Sequence, residues 1–410
     1  MHIIYIGDFL MKQVIKKIII FIVLANVLTI SRVYAYDKKE NNKLLNINSR
    51  KAVVIDRNSK KILYGKKENE KSKMASTTKI MTAMVVIQNT NLDNIIEVSK
   101  KAAGTGGSKL KLKKGDKVTV KDLLYGLMLR SGNDAAVTLA EYVGGSIEGF
   151  ADFMNENAKE LGLSNTHFVT PHGLDDDKHY TTAYELALIA DYALKNEIFA
   201  KIVRTKTANI TVNGKKRTIN NTNELLGNLN GVYGVKTGFT NGAGRCLVTA
   251  VKRGNLDLIC VVLEADTKKN RTKDSINLIE DTFKRYETIS LNEKINEEFN
   301  NWNNLNSKRI DIEKGDGSQL ALKLENDEEL KYPILKDTKD RIKTNIVVDF
   351  KLKAPIKKNT QIGKLQVIYN DEIIKELGIV SENSINKKRI NNYMEDFFKK
   401  FSTYFEEVIR

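Results

Sequence analysis

The chain has 410 residues, too many for one ordinary hydrophobic core, so two domains or one large domain with appendages are implied. Hydrophobic residues make up 41% and charged residues 29%, a globular balance, and 67 basic against 51 acidic residues give a net charge of +16. Such a charge favours anionic surroundings such as nucleic acid, acidic lipid or an anionic polymer. Three prolines exclude a Pro-rich linker, and two cysteines exclude a disulfide scaffold or a Cys-rich metal centre. The four histidines are His2, His167, His172 and His179, which leaves few places for a histidine-based triad.

The chain begins with an address-like segment. Lys12, Lys16 and Lys17 precede a nearly unbroken apolar run from Ile18 to Ile30, and Val33-Tyr34-Ala35 supplies small residues at a cleavage site. This is the pattern of a secretory signal over residues 1–35, with an uncleaved anchor as the alternative. The apolar run is short for a membrane span. Removing its four basic residues and one acid lowers the charge by three, to +13. The mature chain is expected outside the cytoplasm, at the outer face of the membrane or in the wall. It carries no nucleic-acid-reading motif.

Strands are predicted at 52–55 and 62–64, joined by the turn Asp56-Arg57-Asn58-Ser59. Apolar helices follow at 76–90, 121–129 and 134–143, the last two broken at Ser131-Gly132-Asn133, and another at 147–161. Thr182 and Glu185 form a capping box opening a helix to about Lys195. Leu247–Val251 and Leu258–Leu263 read as a hairpin across Lys252-Arg253-Gly254-Asn255, and Asp274 as the cap of a helix reaching Tyr286. The order implies an α+β domain over 36–290, an antiparallel sheet contributed by both ends with a helical cluster inserted. Residues 296–380 carry short alternating segments and turn clusters, and read as a small all-β domain. In 385–410, Ile390, Tyr393, Met394, Phe397, Phe398, Phe401, Tyr404, Phe405, Val408 and Ile409 form one wide stripe on an amphipathic helix. Lys387, Lys388, Arg389, Lys399 and Lys400 lie beside it, so the reading is a helix lying on an anionic membrane, with docking on protein as the alternative.

Three short motifs carry chemistry. Ser76-Thr77-Thr78-Lys79 begins a predicted helix, and the three-residue separation puts Ser76 and Lys79 on one face. A lysine held neutral by burial and a second cation can accept a serine proton, so no histidine is needed. Ser131-Gly132-Asn133 offers a hydroxyl and an amide from a break between helices. Lys236-Thr237-Gly238 offers a cation, a hydroxyl and a residue with no side chain, suited to a peptide laid along an edge strand. S-x-x-K, S-x-N and K-T-G in this order are the set of the penicillin-binding proteins and serine β-lactamases.

The wider wording resembles the low-molecular-mass penicillin-binding proteins, the serine-type D-alanyl-D-alanine carboxypeptidases. The match runs through Ser76–Ala83, Asp122–Ala136, Pro171-His172-Gly173-Leu174 and Lys236–Thr240, covers about Lys51 to Glu287, and continues more loosely to the end. The resemblance implies a penicillin-binding protein-like catalytic domain, then a small β domain and a terminal helix. It implies that Ser76 attacks the carbonyl between two D-alanines of a peptidoglycan stem peptide and that Lys79 takes its proton. Ser131, with Lys236, relays a proton to the leaving D-alanine, and Asn133 orients Lys79 and the substrate amide. Thr237 and Gly238 hold the substrate backbone, and the N–H groups of Ser76 and Phe239 form the oxyanion hole. Arg271 stands where the family reads the terminal carboxylate, but in altered wording, so Lys268, Lys269 and Lys273 remain candidates. β-Lactams are the implied inhibitors; no cofactor or metal is implied. A β-lactamase is the first alternative, though no glutamate stands out as its deacylation base, and a non-catalytic wall-binding protein is the second.

The remaining features read plainly. His167, His172 and His179 are spaced by five and seven, which suits a structural role better than a metal pair. Cys246 and Cys260 flank the predicted hairpin symmetrically and are read as facing buried thiols, with a disulfide as the alternative.

Overall fold

The computed structural model describes residues 45–316, 319–325, 329–391, 394, 397, 398, 401, 402 and 404. The signal segment read over 1–35 lies outside them. The chain divides into two compact units, the first closing at Arg285 and the second opening at Tyr286.

In the first unit, β1 (Lys51–Asp56) and β2 (Ile62–Lys66) form a hairpin. Asp56 closes its turn by accepting from the Ser59 N–H and hydroxyl, both at 2.8 Å. A 3-10 turn, Ala75–Thr78, runs into α1 (Lys79–Asn89). Short strands β3 (Ile95–Glu97) and β4 (Lys117–Thr119) pair on either side of α2 (Lys100–Gly104). Helices α3 (Val120–Leu129), α4 (Asn133–Gly144) and α5 (Ile147–Glu160) follow. Helix α6 (Ala183–Leu194) starts where the Thr182 hydroxyl accepts from the Glu185 N–H at 3.0 Å. The Glu185 carboxylate turns away from that cap and accepts from the Asn165 N–H and the Thr166 hydroxyl. After α7 (Glu197–Arg204) come the hairpin β5 (Thr207–Val212) and β6 (Lys215–Asn220), the strands β7 (Val232–Thr240), β8 (Gly244–Arg253) and β9 (Leu256–Ala265), and α8 (Lys268–Arg285).

The long strands make one antiparallel sheet in the order β2-β1-β9-β8-β7, so β7 is an edge. One face carries Val53, Ile55, Cys246, Val248, Ile259 and Val261 into a single core with the helical cluster. The alternate residues Val54, Leu247, Thr249, Cys260 and Val262 are also fully buried, on the face that α8 covers. A sheet covered on both sides needs apolar residues at nearly every position, which is why these strands read as continuous runs.

Three expectations are corrected. Asp274 does not cap α8; it lies inside that helix, and its carboxylate accepts from the Ser49 N–H and hydroxyl at 2.6 and 2.7 Å. Cys246 and Cys260 do not face each other. The turn is Gly254-Asn255, so Cys260 sits opposite Thr249 while Cys246 sits opposite Gly238, on the other face of the sheet; both are free and buried. Residues 296–306 belong to a helix, not to strands.

That helix, α9 (Asn292–Asn306), buries Ile295 and Phe299 and opens the second unit after β10 (Tyr286–Ser290). Ile295, Phe299 and the partly buried Trp302 recur at helical spacing amid polar residues, an amphipathic pattern too thin to stand out in composition. The strands are β11 (Asp311–Glu313), β12 (Leu322–Leu324), β13 (Lys331–Leu335), β14 (Ile342–Val348), β15 (Lys351–Lys353), β16 (Gln361–Tyr369) and β17 (Glu372–Ser381). The main sheet runs β12-β17-β16-β14, and β10 pairs with β13. Of the terminal stripe, Ile390, Met394, Phe397, Phe398, Phe401 and Tyr404 are helical and exposed, between 52% and 80%. Its other members lie outside the described residues. No helix among the described residues is long and apolar enough to cross a membrane.

Candidate active site

Ser76 sits in the 3-10 turn that enters α1, one turn ahead of Lys79. The turn is held from within and without. The Thr77 and Thr78 hydroxyls donate to the carbonyls of Met74 and Ala75 at 2.6 and 2.8 Å. Ala75 takes a φ of 48°, a left-handed conformation that costs energy for any residue with a Cβ. The segment around Pro171-His172-Gly173 packs directly on this turn. A Cβ on Gly173, whose φ is 79°, would lie 2.0 Å from the Ala75 carbonyl oxygen, so only glycine fits. His179 locks the same contact. Its Nδ1 accepts from the Val169 N–H at 2.9 Å, which leaves Nε2–H to donate to the Thr78 hydroxyl at 2.8 Å. Burial pushes this imidazole down to about 4 and that of His172 to about 3, so both are neutral.

Lys79 is fully buried. Its Nζ lies 2.9 Å from Ser76 Oγ, 2.8 Å from Asn133 Oδ1 and 2.9 Å from the His172 carbonyl oxygen. Burial first, and the charge of Lys236 second, hold its ammonium well below the usual lysine range, against the opposing pull of Asp134. Asn133 opens α4, is buried, and spends its amide N–H on the Gly106 carbonyl at 2.6 Å. Asp134 accepts from the N–H groups of Leu110 and Leu112 at 2.9 and 3.1 Å, which ties the 105–113 loop to the same helix start. Ser131 is buried with a φ of 61°, and its Oγ has no hydrogen-bond partner among the described residues.

The edge strand β7 lies against the Ser76 turn. A Cβ on Gly238 would meet Ala75 Cβ, the Met74 carbonyl oxygen and the Ser76 nitrogen, each at 3.2 Å. Lys236, two residues back on the same face, is buried and donates to the Thr237 carbonyl at 3.0 Å. Burial and the charge of Arg271 bring its pKa to about 7. Thr237 and Phe239 point to the other face. The Thr237 hydroxyl is 2.8 Å from that of Thr222, and Phe239 is 47% exposed.

Arg271, on α8, is buried, and its Nη2 donates to Glu224 Oε1 at 2.6 Å. Glu224 also takes the Thr272 hydroxyl and pairs with Lys268 at 3.1 Å. Burial alone would raise this carboxyl, but these donors hold it below the usual range. Arg271 therefore already holds a carboxylate. Lys269 and Lys273 are exposed on α8. Ser76, Lys79 and Asn133 are joined by contact, Gly238 abuts them, and Lys236 and Arg271 act on the group through charge. Sequence reasoning missed Glu224, Thr222, Asp134 and the His172 carbonyl.

Comparison with known proteins agrees with this geometry. Residues 37–267 match the family model described as D-alanyl-D-alanine carboxypeptidase, and residues 296–387 match the penicillin-binding protein 5 C-terminal domain. The chain is 34% identical over 346 residues to D-alanyl-D-alanine carboxypeptidase DacF of Bacillus subtilis (strain 168), covering 83% of this chain and 86% of that one. It is 31% identical to DacA of Escherichia coli (strain K12), covering 86% and 87%. Penicillin-binding protein 5 from Haemophilus influenzae superposes with a TM-score of 0.70 at 28% identity, over 84% of this chain and 99% of that one. The DD-transpeptidase of Streptomyces K15 superposes with a TM-score of 0.56 at 36% identity, over 58% and 97%. Fold and site together define a serine acyl-transferring hydrolase of the penicillin-binding type. The chain belongs to the D-alanyl-D-alanine carboxypeptidase family, and its work is on the cell wall.

Proposed function

We propose that Ser76 is the acylated nucleophile and Lys79 its base, acting on the D-Ala-D-Ala end of a peptidoglycan stem peptide. The observation that carries this is the set of three partners around Lys79 Nζ. A neutral amine has two N–H donors and one lone pair. The oxygens of Asn133 and His172 can only accept, so they take both donors. The lone pair is left facing Ser76, whose hydroxyl donates to it.

As Oγ bonds to the scissile carbonyl carbon, its proton passes to Lys79. The developing oxyanion lies between the N–H groups of Ser76 and Phe239, donors worth about 10²–10³ in rate each. When the C–N bond breaks, the Ser131 hydroxyl gives its proton to the departing D-alanine amine and is reprotonated through Lys79 and Lys236. Its buried, unpartnered Oγ supports that role. Water then attacks the ester, again with Lys79 as base, and releases the shortened peptide. A β-lactam follows the first step and stays on Ser76.

The aromatic stripe supports peripheral attachment to an anionic membrane on the side to which the 1–35 segment would export the chain. The test of the site is intact-mass detection of a penicilloyl adduct mapped to Ser76, together with D-alanine release from a D-Ala-D-Ala peptide. Ser76→Ala must abolish both. An adduct on another residue would refute the assignment, and rapid turnover of penicillin would favour the β-lactamase reading.

A further inference from the structure

An oxyanion hole made by Ser76 and Phe239 needs two N–H groups held a fixed distance apart, although they come from distant parts of the chain. The Ser76 turn is gripped by Gly173 and His179. Phe239 has no such grip of its own. Gly238 packs on the Ser76 turn, but the next side chain, Phe239, points away and is 47% exposed, so it does not anchor its own backbone in the core. Because β7 is an edge, β8 is its only strand neighbour.

A carboxylate from another segment completes the hold. Asp175 Oδ1 accepts from the Thr240 hydroxyl at 2.5 Å, and Oδ2 accepts from the Gly242 N–H at 2.9 Å, across 65 and 67 residues of chain. The direction of the first bond is fixed, because Thr240 Oγ1 accepts from the Ala243 N–H at 3.0 Å and so has its own proton to give. The turn leaves room for the carboxylate: a Cβ on Gly242 would lie 2.9 Å from Asp175 Cγ. Asp175 is exposed, but the backbone behind it is anchored. The Leu174 N–H donates to His172 Nδ1 at 3.2 Å, Gly173 is buried against Ala75, and the His172 carbonyl accepts from Lys79 at 2.9 Å. One short segment therefore touches Lys79, the Ser76 turn and, through Asp175, the end of β7.

Resting on the functional reading above, we propose that Asp175 is a positioning residue of the oxyanion hole, which by holding Thr240 and Gly242 fixes the Phe239 N–H relative to the Ser76 N–H. Thr240 directly follows Phe239, and only soft backbone torsions separate them, so drift at Thr240 moves the Phe239 donor. A carboxylate that takes two donors is a strong clamp for that purpose. A misplacement of about 1 Å in such a site costs about 10²-fold in rate. Asp175 touches no reacting atom and acts wholly through β7.

The experiment measures acylation of Ser76 by a fluorescent penicillin in stopped flow, over a concentration range that separates the limiting rate constant from the pre-acylation dissociation constant. Asp175→Ala should lower the limiting rate constant by about 10- to 100-fold. The dissociation constant should stay within about threefold, because the charge on the carbonyl oxygen develops only toward the transition state. Asp175→Asn keeps one accepting oxygen and should lose less. Thr240→Val should slow acylation in the same way, and Thr240→Ser, which restores the hydroxyl, should recover most of that loss. The double variant Asp175→Ala/Thr240→Val should be no more than about twofold slower than the slower single variant, since both cut one link. In the infrared spectrum of the penicilloyl enzyme, labelled at the ester carbonyl, Asp175→Ala should move the carbonyl stretch to higher frequency as its hydrogen bonds lengthen. A merely structural role for Asp175 would lower Tm and leave that band in place. An unchanged limiting rate constant, a loss confined to the dissociation constant, or an unmoved carbonyl band overturns this proposal alone. A wild type that takes no penicillin on Ser76 overturns the functional reading, and this proposal falls with it.

Discussion

Asn133→Asp separates the role of Lys79 as a base from a merely structural one. The substitution keeps the shape of residue 133 and keeps an oxygen 2.8 Å from Lys79 Nζ, but makes that oxygen part of a carboxylate. An opposite charge in contact stabilises the ammonium and raises a lysine pKa by about 1–3 units. Lys79 sits in a fully buried site, where that charge is little screened. On the acidic limb of the profile, rate follows the neutral fraction of Lys79, so acylation at a fixed pH falls by about 10- to 1000-fold and the limb moves to higher pH. The variant also loses the donor to the Gly106 carbonyl, worth about 1–3 kcal/mol of stability. Asn133→Ala loses that donor too but adds no charge, and should slow acylation without moving the limb upward. The assay is stopped-flow acylation by a fluorescent penicillin across the pH range. An Asn133→Asp profile that is lowered but not displaced would refute the view that Lys79 is the titrating base.

Glu224→Gln leaves Arg271 uncompensated, so the alkaline limb set by Lys236 near pH 7 should move lower; an unmoved limb in kcat/KM would mean that the charge of Arg271 is not what depresses Lys236. His179 binds a proton near 6.5 when unfolded but only near 4 when folded, so stability falls as pH drops through that window, by at most about 3 kcal/mol. His179→Gln should flatten the fall in Tm between those pH values while lowering Tm near neutrality. Replacing Phe397, Phe398 and Phe401 by serine should release the protein from vesicles of anionic phospholipid in a sedimentation assay, with D-alanine release in solution unchanged.

What was legible in the sequence was what is local. Ser76 and Lys79 meet because they are three apart on one helical turn, and Thr182 caps its helix through an N–H three residues on. The hairpin β5–β6 carried a signal that went unread: Asn213-Gly214 takes the positive φ angles of 50° and 75° that such a two-residue turn demands, between two alternating runs. What was not legible is settled by distance in the chain. Glu224 reaches Arg271 across 47 residues, and nothing in the wording of either segment announces the pair. Asp274 is a good capping residue by type, yet it is claimed by Ser49, 225 residues away. The cysteines were misplaced because a short shift in the centre of a turn sends a side chain to the opposite face.

The sheet is built from the two ends of its domain, and this governs the order in which the enzyme comes into being. Lys51 and Glu264 meet at 2.8 Å although 213 residues separate them. Closing a loop of that length costs about 2–3 kcal/mol more than closing one of about ten residues, and that cost must be met before β1 and β9 can reward it. Ser76 and Lys79 belong to the early half of the chain, Lys236 and Arg271 to the late half. The helical cluster can condense on its own local contacts, but the cleft exists only once the long loop has shut. Reactivity toward a penicillin is therefore expected to report the closing of this sheet, and a nascent chain ending before β9 would hold Ser76, Lys79 and Asn133 without β7 anchored to β1 through the rest of the sheet.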